Sequence, residues 1–139
     1  MRARQSCWGA MLALGLFAAG AAAAAEFRWA AVAEEVVGQL ERGLAAAKAG
    51  DTDRARQAVL TAYFGLFEDR KMEGAIRKEL GQAHTVDVED RFNALRKAVG
   101  VKPLPDDLAA RVAELGAMLR KDAGLLDAAG VPEQVYVGR

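Results

Sequence analysis

Apolar side chains recur at three- and four-residue intervals along almost the whole chain, the spacing that gathers them on one face of an α-helix, and no stretch alternates as a half-buried strand does. The first such segment predicts a helix from about Phe27 to Ala49. Its stripe is Trp29, Ala33, Val36, Leu40, Leu44 and Ala47, and Gly50 suits the left-handed position that closes a helix. Asp51 or Asp53 then offers a carboxylate to the free first-turn amides of a second helix, expected over residues 53–80 and ending at Gly81. Val59, Leu60, Ala62, Tyr63, Phe64, Leu66 and Phe67 make its middle apolar nearly all round, which predicts a place at the centre of the domain. The pattern switches at Glu68-Asp69-Arg70-Lys71 and resumes with Met72, Ile76 and Leu80. Propensity leaves a bend there open, because all four residues of the switch tolerate a helix.

Thr85 reads as the cap of a third helix with Val88, Phe92, Leu95 and Val99 on its stripe and Gly100 as its stop. Pro103 and Pro105 stiffen the connection that follows. Asp106 or Asp107 opens a fourth helix, where negative charge favours the macrodipole; Leu108, Val112, Leu115 and Leu119 are its stripe, and it runs towards Ala129 and Gly130. Four amphipathic segments with short connections predict an all-α fold, an antiparallel four-helix bundle over residues 26–130, with residues 131–139 as a C-terminal tail.

Residues 1–25 carry a different pattern. Arg2 and Arg4 precede an apolar run from Met11 to Ala19, and Ala21 to Ala25 supply the small residues a signal peptidase requires. That run is short of the roughly 20 residues a membrane span needs, so a cleavable signal peptide is expected, with Glu26 as the new N-terminus and a soluble, periplasmic or otherwise extracytoplasmic product. Cys7, the only cysteine, lies ahead of the apolar run. The exported part therefore has no thiol for a disulfide, a thiolate metal site or a covalently attached haem. The chain has 19 basic and 19 acidic residues, and losing Arg2 and Arg4 leaves a net charge of about −2. Together with the absence of a basic stripe, this argues against a nucleic-acid partner.

Catalytic signatures are missing. The sequence contains no glycine-rich nucleotide loop, no nucleophile elbow, no His-Glu-x-x-His and no paired Glu-x-x-His, so no enzyme is expected. The most specific stretch is Ala62-Tyr63-Phe64-Gly65-Leu66-Phe67-Glu68, followed by Met72-Glu73 and Ile76-Arg77. It resembles the soluble extracytoplasmic helical domain that precedes the membrane part of bacterial Ftr-type high-affinity iron permeases, over roughly Gln57 to Val99. The resemblance implies an accessory in the uptake of iron or a similar divalent metal, binding the ion or docking on a membrane iron permease. The transport domain of that family and its Arg-Glu-x-x-Glu motif are absent from this sequence. An extracytoplasmic helical interaction module without a metal role is the alternative.

Glu68, Glu73, His84 and Glu89 are the candidate metal ligands, since carboxylates and imidazole suit iron and similar ions. On a continuous helix Glu68 shares the stripe of Phe64, Met72 and Ala75, which predicts partial burial and a need for a partner. A hairpin turning near Gln82 instead sets Glu68 level with Arg96 and Glu73 level with Arg91, as structural ion pairs; Glu73 with Arg77 is a further helix-surface pair. His84 serves equally well as packing at the bundle end. A straight helix holds it about 18 Å from Glu68 along the axis, so only a bend near residues 69–71 lets them share an ion. Trp29, Tyr63, Phe64, Phe67 and Phe92 are expected as core, with a ligand pocket as the alternative.

Overall fold

In the computed structural model, which describes residues 26–134, the helical spacing of apolar residues becomes five α-helices and one π-helical segment, with no strand among the described residues. The expected signal peptide and residues 135–139 lie outside the described residues. Helix α1 spans Trp29–Lys48 and buries Trp29, Val32, Val36 and Leu40 completely or nearly so. It stops where Gly50 takes a φ of 82°, a left-handed conformation that a side chain would strain. Helix α2, Thr52–Leu60, starts under Asp51, whose carboxylate accepts from the Arg54 amide at 3.0 Å. The π segment covers Thr61–Glu68, helix α3 Met72–Glu79, helix α4 Gln82–Ala98 and helix α5 Leu108–Ala128.

The expected second helix is thus three pieces. A π segment interrupts its middle, and the chain breaks at Lys71, which adopts the left-handed conformation at φ 65° before α3 begins. The aromatic run is therefore not buried all round: Ala62 and Phe67 are in the core, Tyr63 and Leu66 are half-buried, and Phe64 is 51% exposed. Helix α4 begins four residues earlier than the Thr85 cap predicts. Gly81, at φ 95°, precedes the first turn, and Thr85 is a buried residue inside the helix whose hydroxyl donates to the Gly81 carbonyl at 3.1 Å.

Helix α1 packs on α5, on α2 and on the π segment, while α4 packs on α5, α3 and α2. Between them lies one core in which Trp29, Phe67, Phe92, Met72, Ile76, Leu115, Leu119 and Leu126 are the large, essentially inaccessible side chains. Each contributes about 1.5–3 kcal/mol by leaving water. The stripe Leu108, Val112, Leu115 and Leu119 is buried against the other helices, so it is core and not an open docking face. Val131, placed in the tail by its sequence position, is buried too, and its carbonyl accepts the Trp29 indole N–H at 2.7 Å. Among the described residues no helix is long and apolar enough to cross a membrane.

Candidate functional site

The elbow between the π segment and α3 brings the acidic candidates together. In an α-helix with 3.6 residues per turn, side chains five apart point about 140° away from each other. A π-helix closes i→i+5 hydrogen bonds and stacks them instead. Asp69 N–H donates to the Phe64 carbonyl at 3.2 Å in this register, and the Tyr63 phenol comes against the Glu68 carboxylate. Glu68 is half-buried, as expected, but its neighbour is Tyr63 and not Arg96. Arg96 turns to Asn93 on its own helix, at 3.5 Å. The pairing with Arg96 presupposed a straight second helix, and the π register together with the break at Lys71 removes that alignment.

Tyr63 also stacks on Phe67, with ring centroids 6.0 Å apart, and lies 5.1 Å from the Phe92 ring. Burial pushes the phenol's pKa well up; contact with Glu68 adds to this, and the charges of Glu89 and Glu73 add less. The hydroxyl therefore stays protonated at neutral pH and is available as a donor to a carboxylate.

Glu73, in the first turn of α3, and Glu89, on α4, share the guanidinium of Arg77. Arg77 pairs closely with Glu73 and reaches Glu89 at 3.4 Å. Glu73 is raised above its ordinary carboxylate pKa, first by burial and then by the charge of Glu89, against the opposing pull of Arg77. Of the expected partners, Arg77 is correct and Arg91 is not, because Arg91 pairs with Asp87 and Glu114. An open cleft of about 650 Å³ runs along the elbow. Glu68, Asp69 and Glu73 line it together with Lys71, Arg77 and Lys78, so its walls carry balanced charge.

His84 belongs to a different place. Its Nε2 lies 2.8 Å from Oδ2 of Asp122, a residue of α5 that is 1% exposed. Burial raises the Asp122 pKa, and the hydrogen bond and charge of His84 hold it down. Sequence reasoning missed Asp122 altogether. The only available signal was a charge four residues from Met118 and Leu126, on the face that also carries Leu115 and Leu119. The structure thus brings Tyr63, Glu68, Glu73 and Glu89 into one electrostatic neighbourhood and assigns His84 to the core-facing pair. Among the described residues no three histidine, aspartate or glutamate side chains are arranged to hold a metal ion as they stand. No protein-family model, curated protein or solved structure matches this chain.

Proposed function

We propose that this chain is an exported four-helix-bundle protein that acts outside the cytoplasm in the uptake of iron or a similar divalent metal, presenting the ion to a membrane iron permease. The supporting observation is a set of carboxylates about the elbow before α3: Glu68 lies against the Tyr63 phenol and lines the cleft with Glu73, which shares Arg77 with Glu89. Oxygen donors of this kind suit hard divalent cations, and Glu73 already bears the burden of a like charge beside it. Arg77 occupies the cationic position between Glu73 and Glu89, so an incoming ion competes with it and is held weakly. Weak holding is what a carrier that hands on its cargo requires. His84, engaged by Asp122, stands outside this oxygen set.

The test is calorimetric titration of the protein beginning at Glu26 with ferrous and cupric ions. Glu68→Gln and Glu73→Gln should each weaken binding by on the order of tenfold or more while the helical melt persists. Absence of binding by the parent, or unchanged binding by both variants, rejects the metal role. The exposed ring of Phe64 favours the second reading, an interaction module in which the elbow docks a protein partner. Failure of the titration together with loss of partner capture in Phe64→Ser would establish that reading instead.

A further inference from the structure

The π segment is the least ordinary backbone in the described residues. Such runs usually appear as single-turn bulges within α-helices, frequently at functional positions, whereas here eight residues take part. Its closing hydrogen bonds change span at each step. Asp69 N–H reaches back five residues to Phe64, Arg70 N–H four to Leu66 at 3.0 Å, and Lys71 N–H three to Glu68 at 2.8 Å. Lys71 then takes up the accumulated mismatch in a left-handed conformation that disfavours a lysine. A neighbouring arrangement exists within the same length of chain: Asp69 N–H closing on the Gly65 carbonyl restores the α ladder. Gly65 lies in the middle of the segment and is exposed, and as a glycine it accommodates a change of backbone conformation more readily than its neighbours.

One side-chain contact tells the two registers apart. Tyr63 and Glu68 are five residues apart, neighbours in a π-helix and on divergent faces of an α-helix. We infer that residues 61–71 form a two-state element, in which the contact of Tyr63 with Glu68 holds the π register and engagement of Glu68 elsewhere lets the segment pass to the α register. The passage reorients the exposed ring of Phe64 and releases Lys71 from its left-handed turn, so the state of Glu68 is written onto the outer surface of the elbow. Naming a divalent cation as the agent that engages Glu68 rests on the proposed metal role; the two-state element itself does not.

Solution NMR of the protein beginning at Glu26 tests both parts. The readouts are the amide–α-proton coupling and carbon shifts of Lys71, which report its φ, and the exchange rate of the Asp69 amide. Tyr63→Phe and Glu68→Gln should both move Lys71 towards right-handed values and change Asp69 exchange, while Glu73→Gln, a control for charge alone, should leave them as in the parent. Retention of shift dispersion in the core helices separates a register change from unfolding. Lys71 and Asp69 signals in Tyr63→Phe and Glu68→Gln that coincide with the parent's would overturn the element. Saturating zinc, a diamagnetic divalent cation, should reproduce the Glu68→Gln shifts in the parent. Shifts in the variants without a response to zinc uphold the element and reject the metal reading of Glu68.

Discussion

Among the described residues, Asp122 and Thr85 are the buried polar side chains, and they are satisfied in different ways. Thr85 gives its hydroxyl to a carbonyl one turn away, a local bond that any helix can offer. Asp122 depends on a side chain from another helix, and the imidazole of His84 is what makes its burial tolerable. His84→Ala leaves the carboxylate unpaired among Leu119, Ala123 and Leu126, and should cost about 1–3 kcal/mol in urea unfolding. Asp122→Asn, which removes the charge and keeps the shape, should cost less. The pH dependence has a definite sign. Burial raises the folded-state pKa of Asp122 above its unfolded value, so the stability linked to its proton is fully present below the unfolded pKa. That stability is lost as pH rises through the folded value. Relative to the parent, Asp122→Asn should therefore gain ground over the interval that begins at the ordinary carboxylate value and extends upward. Parallel curves over that interval would show that the carboxylate titrates in the folded protein as it does in the unfolded chain.

At the scale of elements, the break at Lys71 makes the sharpest forecast. A left-handed φ of 65° costs an L-residue about 1–2 kcal/mol, and glycine avoids that strain at the expense of a more flexible unfolded chain. Lys71→Gly should therefore raise unfolding free energy by up to about 1 kcal/mol, read from the denaturant midpoint at unchanged slope. A loss of stability would mean that the lysine side chain contributes more than its backbone costs. Lys71 also shows where the sequence stops being informative. The stripes of α1, α4 and α5 and the Asp51 cap were legible, because 3.6-residue periodicity and capping chemistry are local. The switch from Leu66-Phe67 to Glu68-Asp69-Arg70-Lys71 marked an irregularity without its form, since π and α registers have nearly the same residue preferences. Of the four candidate residues, Glu68 and Glu73 line the cleft at that irregularity, Glu89 reaches it from α4 through Arg77, and His84 lies elsewhere. The ion pairs deduced from a straight hairpin failed because one added residue per turn rotates everything beyond it, and His84 found its partner on a helix that no local pattern linked to it.

Across the whole molecule, the two ends of the described chain are fastened by a small polar clasp. Arg28 provides no side-chain cap for α1; Asp127, near the end of α5, supplies one from nearly a hundred residues away. Its carboxylate oxygens accept the amides of Trp29 at 2.7 Å and Ala30 at 3.1 Å, and the Trp29 indole donates to Val131 beyond the end of α5. The surface ion pairs Glu34–Arg120 and Glu35–Arg70 tie α1 to α5 and to the elbow, but such exposed pairs contribute about 0–1 kcal/mol each. The clasp is different, because Trp29 is completely buried and its N–H has no water to turn to. Trp29→Phe deletes the donor and part of the ring, which should cost about 2–4 kcal/mol. A chain ending at Gly130 loses the acceptor and the apolar cover of Val131, leaving the indole N–H unsatisfied, for about 1–3 kcal/mol. If the two changes disrupt one interaction, their sum must exceed the effect of the double variant, with a coupling of at least about 0.5 kcal/mol. Urea unfolding of the four proteins closes that cycle. Strict additivity would mean that water or another carbonyl replaces Val131 once the tail is gone, so that the bond from the Trp29 indole is not what the truncation removes.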